Sequence, residues 1–342
     1  MRQAVMTSPG TIEYRDVDAP GLPKDHEVLL RIQKIGICGS DIHVFHGEHP
    51  AVIYPVVQGH EYAAIVEAVG KDVKDVTPGM HVTARPQLVC GKCSPCLRGA
   101  YNICQELKVE GFQAPGVAQE LFIVSADRVV AVPKEMPWDH AAMIEPVAVA
   151  VHSTARPTSL KGKNVVVSGA GTIGNLVAQY AQLRGAKKVV ITDISDHRLE
   201  IARQCGITGT INVKTQSFSQ ESKKLFGNEG FQVALEAAGV PASLDLLLQN
   251  IEKGGEIVII GVYAQNPVVN MYFLGEHELK LIGSLMYLHE DYLDAVEAIA
   301  SKKMQLDPLI SAHFPFEDFP EAYQYIGKKK DQAMKIIIDV AS

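Results

Sequence analysis

Hydrophobic positions in the first 150 residues alternate with polar ones over short stretches, which turn residues separate. Examples are EVLLRIQKIG (27–36), EYAAIVEAVG (61–70) and ELFIVSADRVVAVP (120–133). Alternation with a period of two is typical of strands that bury one face, and long helical patterns are scarce here. We therefore expect a β-rich domain in this part of the chain.

After about residue 157 the pattern changes to short apolar runs that alternate with amphipathic stretches. The runs VVVSG (165–169), VVITD (189–193) and EIVIIGV (256–262) have the composition of buried strands. Between the first two runs, NLVAQYAQLRG (175–185) has the period of a helix. Strands that alternate with helices predict a doubly wound parallel sheet.

The C-terminal part predicts a return to the first domain. A helical stretch at 290–304 precedes MKIIIDVAS (334–342), which has the length and composition of an added strand. The predicted fold class is therefore α/β, with a β-rich domain formed by residues 1–150 and 286–342. The doubly wound domain is expected at residues 151–285.

Composition and charge narrow the classes of function. The chain has 342 residues, enough for two domains, with 47% hydrophobic and 21% charged residues and no apolar run long enough to cross a bilayer. A formal net charge of −7 and a pI near 6.0 argue against a nucleic-acid partner. Nothing at the N-terminus resembles a signal peptide, so we expect the six cysteines to stay reduced and place the protein in the cytoplasm.

Four of the cysteines lie in the single stretch CGKCSPCLRGAYNIC, at positions Cys90, Cys93, Cys96 and Cys104. Four thiolates can complete a tetrahedral zinc site that has no open position, which is typical of structural zinc. An iron–sulfur cluster is disfavoured because seven residues precede the fourth cysteine and Gln105 rather than proline follows it. Buried or disulfide-bonded cysteines are the other alternative, but they would require a secreted chain. We predict a structural zinc site.

The stretch KNVVVSGAGTIGNLVAQYAQLRG places Gly169, Gly171 and Gly174 in GxGxxG spacing between a strand and a helix. Such glycines permit a tight turn, close approach of a pyrophosphate and close helix–strand packing, while the helix N-terminus supplies amide donors. The next strand ends at Asp193, where a carboxylate can bind ribose hydroxyls and repel a 2′-phosphate. Arg198 could reach a 2′-phosphate, but we expect it over the adenine and predict NAD. The predicted cofactor-binding set is Gly169, Gly171, Thr172, Ile173, Gly174, Asp193, Arg198 and Val262.

Upstream of this motif, IGICGSDIHVFHG and VVQGHEYAAIVEAVG supply the candidate residues Cys38, Ser40, Asp41, His43, His60 and Glu61. One thiolate, one imidazole and one carboxylate can hold zinc and leave a fourth position open, which distinguishes catalytic from structural zinc. An alcohol bound there would form a zinc alkoxide, which can transfer hydride to a nicotinamide. The sequence therefore predicts oxidation of an alcohol to a carbonyl compound with NAD as the acceptor.

In the order of these motifs, and over essentially its full length, the chain resembles the zinc-dependent medium-chain dehydrogenase/reductase family. The resemblance implies a GroES-like catalytic domain with a structural-zinc lobe at about residues 88–106, and a Rossmann cofactor domain. It implies two zinc ions per subunit, the catalytic one held by Cys38 and His60 and the structural one by Cys90, Cys93, Cys96 and Cys104. By the same resemblance, Ser40 passes the substrate proton outward and His43 continues the relay through the cofactor ribose to solvent. Asp41 supports His60 without being a ligand.

The third ligand of the catalytic zinc divides this family. Where liver-type alcohol dehydrogenases carry a cysteine, this chain reads MIEPVAVAVHS, with Glu145 followed by Pro146. This pattern resembles the polyol branch, which includes sorbitol and butanediol dehydrogenases. In that branch either the residue at Glu61 or the one at Glu145 coordinates zinc, so we predict both as metal-site residues. The predicted catalytic set is Cys38, Ser40, His43, His60, Glu61 and Glu145.

The predicted substrate is a polyol, a sugar acid or a related hydroxylated small molecule, whose secondary alcohol is oxidised to the ketone. Met286 precedes Tyr287 where sorbitol dehydrogenases carry an arginine beside the tyrosine, which disfavours sorbitol itself. An activity like that of L-threonine 3-dehydrogenase is an alternative, and a non-catalytic regulatory protein that binds NAD and zinc is the alternative of another class. The resemblance implies a homodimer or homotetramer, and we expect no nucleic-acid or membrane partner.

Overall fold

Residues 1–49 and 52–341 are described by a computed structural model, in which the chain divides into two units. The first junction lies between Glu145 and Pro146, and the chain returns to the first unit at Leu288. Residues 302–309 belong to the second unit. Two hydrogen bonds join this segment to Gln179 of the same unit: Gln305 N donates to Gln179 Oε1 at 2.7 Å, and Gln179 Nε2 donates back to Gln305 O at 3.1 Å.

The described part of the first unit begins with nine strands and the helices between them. The strands are β1 (Arg2–Ser8), β2 (Thr11–Asp16), β3 (Glu27–Ile37), β4 (Glu61–Val69), β5 (His81–Ala84), β6 (Gln87–Leu88), β7 (Lys108–Val109), β8 (Leu121–Ser125) and β9 (Val129–Ala131). The helices are α1 (Gly39–Phe45), α2 (Ser94–Leu97), α3 (Trp138–Ala142) and α4 (Ile144–Ala155), the last of which continues into the second unit. The β-rich character that the alternating pattern predicts is therefore present.

The second unit alternates strands with helices. Its strands are β10 (Asn164–Ser168), β11 (Lys188–Asp193), β12 (Gly209–Asn212), β13 (Val233–Glu236), β14 (Glu256–Ile259) and β15 (Lys280–Gly283). Its helices are α5 (Thr172–Leu183), α6 (Asp196–Gln204), α7 (Phe218–Phe226), α8 (Pro241–Asn250) and α9 (Met271–Glu276). The six strands form a parallel sheet in the order β12-β11-β10-β13-β14-β15. This is the order of a dinucleotide-binding sheet, with the change of direction next to β10.

The C-terminal segment completes the first unit. It adds α10 (His289–Ala300), β16 (Ile310–Pro315), α11 (Phe319–Lys329) and β17 (Lys335–Asp339). Strand β17 pairs antiparallel with β3, with Ile337 opposite Gly36, which confirms the expected return of the C-terminal strand. The resulting seven-stranded sheet has the order β16-β17-β3-β4-β5-β9, and β8 also pairs with β3.

Each unit has its own apolar core. In the first, buried side chains of β3, β4 and β17 pack together, including Leu30, Ile35 and Ile338. In the second, all positions of β10 and β13 are buried, as expected for strands covered on both faces. The predicted α/β fold class is confirmed. Among the described residues, no helix combines the length and the apolar character that crossing a membrane requires.

Candidate active site

Antiparallel pairing of β3 with β4 brings two distant sequence motifs together. Cys38 follows the end of β3 and is the N-cap of α1, where its amide donates to Asp41 Oδ2 at 2.9 Å. His60 immediately precedes β4, and Glu61 is its first residue, in register with Gly36. The end of one strand lies beside the start of the other, so the cysteine, the histidine and the glutamate meet.

The three donor groups converge in a way that fits a metal ion. The ligand atoms of Cys38, His60 and Glu61 all lie within 4.8 Å of one another, with Cys38 half-buried and the other two buried. Glu61 Oε1 has no hydrogen-bond partner among the described residues, although it is buried. A buried carboxylate oxygen without a donor is costly, and a cation would satisfy it. A thiolate, an imidazole and a carboxylate suit zinc and leave a coordination position for a small molecule.

A chain of polar contacts orients His60. Its Nδ1 lies 3.5 Å from Asp41 Oδ1, an ion-pair distance that falls short of hydrogen-bond geometry. Gln58 Nε2 donates to the same carboxylate oxygen at 3.3 Å, and Tyr323 Oη donates to Gln58 Oε1 at 2.9 Å. Burial lowers the pKa of His60, but Asp41 and Cys38 outweigh burial and raise it well above its ordinary value. The same negative groups favour a cation at this ring.

An aromatic wall lies against the metal-site histidine. The ring of Phe112 is 5.0 Å from that of His60 and stacks at 4.9 Å on that of His49. Phe112 is buried and His49 is half-buried, whereas His46 is exposed. The imidazole therefore has an apolar neighbour on one side, which restricts water there.

The other predicted catalytic residues differ in how far their side chains are exposed to solvent. Ser40 is in the first turn of α1 and half-buried, and His43, one turn later, is half-exposed. His43 Nδ1 lies 3.2 Å from Glu48 Oε2. Glu145, in the first turn of α4, is buried. Its ligand atoms are not part of the group formed by the cysteine, the histidine and Glu61.

The four remaining motif cysteines form a second cluster. The sulfur atoms of Cys90, Cys93, Cys96 and Cys104 all lie within 4.8 Å of one another, and none forms a disulfide bond. Amides of Gln105 and Cys96 donate to Cys93 and lower its pKa to about 6. Burial and Cys93 raise the pKa of Cys96 to about 12. Cys93 is therefore the first thiol of this pair to lose its proton. Four converging thiols with a stabilised thiolate fit a closed zinc site, and the disulfide alternative is wrong.

This cluster is tied to the rest of the first unit by Tyr101, which lies between its third and fourth cysteines. Tyr101 Oη accepts the amide of His289, at the start of α10, at 2.5 Å. The guanidinium of Arg85 lies 5.4 Å from the centre of the Tyr101 ring. A metal ion at the cysteines would therefore also fix the position of the aromatic ring that contacts α10.

The glycine motif forms the turn between β10 and α5. Gly169 has a φ of +94°, and a Cβ there would lie 2.9 Å from backbone atoms of Ala238. A Cβ on Gly174 would overlap the carbonyl oxygen of Gly169, whereas one on Gly171 would meet nothing within 4 Å. The first and third glycines thus permit the tight turn and the close packing, and the second borders open space at the start of α5. That open space fits the cradle of a pyrophosphate.

Asp193 ends β11, next to this turn. Its Oδ2 accepts the amide of Ala170 at 2.7 Å, and its Oδ1 accepts those of Ile194 and Ser195 at 2.8 and 2.9 Å. A carboxylate has about four lone-pair directions, so it retains room for ribose hydroxyls. Arg198 Nη1 lies 4.0 Å from Asp193 Oδ2.

The other predicted cofactor residues surround the same end of the sheet. Thr172 and Ile173 are the first two residues of α5, so their amides are among the free donors of its N-terminus. Val262 follows β14 and is 80% exposed. A Cβ on Gly239 would lie 2.6 Å from the carbonyl oxygen of Val262, which places Val262 beside the turn after β13.

Sequence reasoning missed several residues that shape these sites. Lys335, the first residue of β17, donates to Glu61 Oε2 and is itself buried. Asn175, fully buried in α5, donates to Ala170 O at 2.6 Å and to Gly171 O at 3.1 Å. Gln58 and Tyr323 were also missed. For Lys335, the signal available in the sequence was a lysine at the start of the apolar run KIIID.

The chain matches two family descriptions and several known proteins. "Alcohol dehydrogenase GroES-like domain" matches residues 24–134, and "Zinc-binding dehydrogenase" matches residues 172–301. Sorbitol dehydrogenase of Bacillus subtilis (strain 168) is 30% identical over 346 residues, covering 99% of this chain and 97% of the relative. L-threonine 3-dehydrogenase of Proteus mirabilis (strain HI4320) is 30% identical over 330 residues, covering 95% of each chain. The crystal structure of galactitol-1-phosphate dehydrogenase from Escherichia coli has a TM-score of 0.92 and 31% identity, covering 99% of this chain and 100% of that one.

These matches run through both units, over residues 24–134 and 172–301. The predicted resemblance is therefore confirmed. The chain belongs to the zinc-dependent medium-chain dehydrogenase/reductase family, beside its polyol dehydrogenase-like members.

Proposed function

We propose that this protein is a zinc- and NAD-dependent dehydrogenase that oxidises a secondary alcohol to the ketone. The substrate class is a polyol, a sugar acid or a related hydroxylated small molecule. The observation that carries the proposal is the convergence of Cys38, His60 and Glu61, whose ligand atoms lie within 4.8 Å of one another. Such a set holds zinc with an open position, which is the arrangement of catalytic rather than structural zinc.

In this proposal, Cys38, His60 and Glu61 hold the catalytic zinc ion. The unpartnered Glu61 Oε1 supports Glu61 as the third ligand, and Glu145, buried nearby at the start of α4, is the alternative third ligand. When bound, the metal supplies Lewis-acid chemistry that makes a substrate hydroxyl far more acidic than it is in water. Phe112, on which His49 stacks, restricts water at one side of the His60 imidazole, which strengthens electrostatic interactions in the site.

Ser40 and His43 move the proton in this proposal. Ser40, half-buried in the first turn of α1, accepts the proton of the substrate hydroxyl at its Oγ and passes its own proton on. His43 receives it and releases it to solvent, since its side chain is 50% exposed. Glu48, 3.2 Å from His43 Nδ1, orients that ring. The gradient in exposure from Ser40 to His43 supports this direction of transfer.

The four-cysteine cluster holds a second, structural zinc ion in this proposal, which gives two per subunit. Its support is the convergence of four sulfur atoms that are not joined by disulfide bonds. Because four thiolates complete the coordination, this ion has no open position and takes no part in the chemistry.

NAD is the proposed cofactor. Gly169, Gly171 and Gly174, with Thr172 and Ile173 at the start of α5, receive the pyrophosphate. Asp193 binds the adenosine ribose, Arg198 lies over the adenine, and Val262 contacts the cofactor near the end of β14. Support for NAD over NADP comes from the Asp193 carboxylate, which would meet a 2′-phosphate as a like charge.

A polyol-type substrate is favoured over threonine by the Glu145–Pro146 pair, which resembles the polyol branch. The sorbitol dehydrogenase and galactitol-1-phosphate dehydrogenase relatives support the same choice, while the relative named L-threonine 3-dehydrogenase keeps threonine as the second candidate. Met286 stands where an arginine would favour sorbitol, and its φ is +49°. We therefore place the substrate among polyols and sugar acids other than sorbitol.

The proposed assembly is a homodimer or homotetramer, and the proposed location is the cytoplasm. The support for an oligomer comes from the second unit. There β15 is the last strand of the sheet, and the exposed residues near it in sequence include Val268, Met271 and Tyr272. Six free cysteines, four of them clustered for metal, support a reducing compartment.

The deciding experiment measures reduced cofactor formed by the zinc-loaded protein with sugar alcohols, vicinal diols, sugar acids and threonine, each with NAD and with NADP. Turnover of a polyol or sugar acid with NAD is the expected result, and Cys38→Ser should abolish it. Turnover of threonine alone would move the protein to the threonine branch. Cofactor binding without turnover of any alcohol would favour a non-catalytic regulatory protein.

A further inference from the structure

A buried lysine contacts the proposed metal site from the C-terminal strand. Lys335 begins β17, and its side chain is 3% exposed. Its Nζ donates to the carbonyl oxygen of Ile37 at 3.0 Å and to Oε2 of Glu61, whose side chain is 1% exposed. A buried ammonium group requires compensating partners. Of these two partners, the carboxylate of Glu61 carries a charge and the carbonyl of Ile37 is neutral.

The contact spans the central strand of the sheet. Strand β3 lies between β17 and β4, with Gly36 opposite Ile337 on one side and opposite Glu61 on the other. A Cβ on Gly36 would collide with Glu61 Oε2. Because this position carries no side chain, the lysine of one neighbouring strand reaches the glutamate of the other.

The two oxygens of Glu61 therefore have different environments. Oε2 is held by Lys335, whereas Oε1 is buried without a partner among the described residues. The ammonium group of Lys335 therefore offsets part of the negative charge of Glu61 and leaves Oε1 available.

We propose that Lys335 is a positioning residue for the catalytic metal: by holding Glu61 Oε2 across Gly36, it turns Oε1 alone toward the ion. The inference rests on the proposed metal site. A ligand whose second donor atom is fixed by a neighbouring group keeps its orientation when the metal leaves and returns. Lys335 would thereby set how tightly and in what geometry zinc is held, while never contacting the substrate.

The test is the rate at which zinc-loaded protein releases its ions to a chromogenic chelator. Substitution Lys335→Met keeps an unbranched side chain, one heavy atom shorter, and removes the charge and the hydrogen-bond donor. We expect the ion that leaves first to be released roughly 10- to 100-fold faster from this variant than from the wild type. Loss of a group that orients a metal ligand typically weakens metal binding by that factor. Lys335→Arg, which can still donate to the carboxylate, should restore release to within a few-fold of the wild-type rate.

Lys34 provides a matched control in the same sheet. It lies on β3 and pairs with Asp339 at 2.5 Å and Asp139 at 3.5 Å, away from the three proposed ligands. Lys34→Met removes a lysine–carboxylate pair of the same kind and should release both ions at wild-type rates. Release from Lys335→Met at the wild-type rate or slower would overturn the inference.

A second readout separates positioning from a general loss of folding. With cobalt in place of catalytic zinc, Lys335→Met and Gly36→Ala should each change the visible absorption of the ion, while Lys34→Met should not. In a Glu61→Gln background, Lys335→Met should add no further change, because its effect acts through that carboxylate. An unchanged cobalt spectrum in both single variants would overturn the inference. A wild-type protein that binds one zinc per chain would instead count against the proposed catalytic site.

Discussion

At the scale of single residues, the sites depend on carboxylates that nearby backbone amides hold in place. Asp41 accepts the amide of Cys38, and Asp193 accepts those of Ala170, Ile194 and Ser195. Hydrogen bonds from backbone amides fix the orientation of such a carboxylate. Each is therefore fixed before a ligand arrives, and replacement by the isosteric amide removes the charge with little change of shape.

Asp193→Asn is expected to weaken the preference for NAD. The amide cannot accept hydrogen bonds at both positions, and it does not repel a 2′-phosphate. Because hydrogen bonds to a charged group contribute about 1.5–3 kcal/mol, KM for NAD should rise roughly 10- to 100-fold, and KM for NADP should rise less or fall. Steady-state kinetics with both cofactors measures this. Asp196→Asn, in the next helix with its carboxylate on Asn212, is the control and should keep the wild-type ratio.

Glu110 predicts a pH dependence of stability. It is 3% exposed, its Oε1 accepts Arg128 Nη1 at 2.6 Å, and burial raises its pKa from 4.5 to about 7 despite the arginine. Between these values the folded protein retains a proton that the unfolded chain has released. Stability from this group is therefore full below about pH 4.5 and falls as pH rises toward 7, by about 3 kcal/mol in total.

The thermal unfolding midpoints of the wild type and Glu110→Gln, measured across this pH range, test the direction of the predicted pH dependence. The advantage of the wild type over the variant should shrink as pH rises from 5 to 7, since glutamine does not titrate. A matched control is Glu120→Gln, which removes a glutamate paired with Arg2 at the surface. Solvent screens that pair, so its difference from wild type should change little with pH. A constant difference between wild type and Glu110→Gln would contradict the prediction.

At the scale of elements, both sites lie where a helix begins after a strand. Helix α1 follows β3 and presents Cys38, while α5 follows β10 and presents the glycine turn. Such local arrangements were predictable because a few neighbouring residues determine them. The contacts of Lys335 with Glu61 and of Tyr323 with Gln58 join residues 274 and 265 positions apart. These contacts depend on which strands pair, and the spacing of motifs along the sequence does not contain that information.

Asn175 links α5 to the glycine turn, and its loss should loosen that turn. Its Nδ2 donates to the carbonyl oxygens of Ala170 and Gly171, so Asn175→Ala leaves buried acceptors without this donor. We expect KM for NAD to increase about tenfold, since one lost buried hydrogen bond costs about 1–3 kcal/mol, with kcat affected less. Titration of NAD binding by fluorescence measures the change directly. Gln182→Ala, near the exposed end of the same helix, should bind NAD as the wild type does.

At the scale of the whole molecule, each unit carries a separate part of the predicted chemistry. The first contains both proposed metal sites, and the second contains the glycine turn and Asp193. The two-part fold was predictable because the change from alternating strands to strand–helix repeats is long and regular. The substrate was not, since the informative position, Met286, records only the absence of an arginine. Its left-handed backbone and the full burial of Tyr287 emerge only in the folded chain.

The two proposed zinc ions should separate in their kinetics of removal. Three protein ligands with an open position exchange faster than four thiolates, so a chelator should remove the ion at Cys38, His60 and Glu61 first. Activity should fall in step with loss of this first ion and return when zinc is added. The thermal midpoint should fall mainly with loss of the second ion, because the cysteine cluster orders the turn whose Tyr101 contacts α10.

In Cys104→Ser the slow phase of zinc release should disappear, leaving one zinc per chain and a lowered thermal midpoint. Simultaneous loss of activity and stability in a single phase would mean that the two sites are not independent.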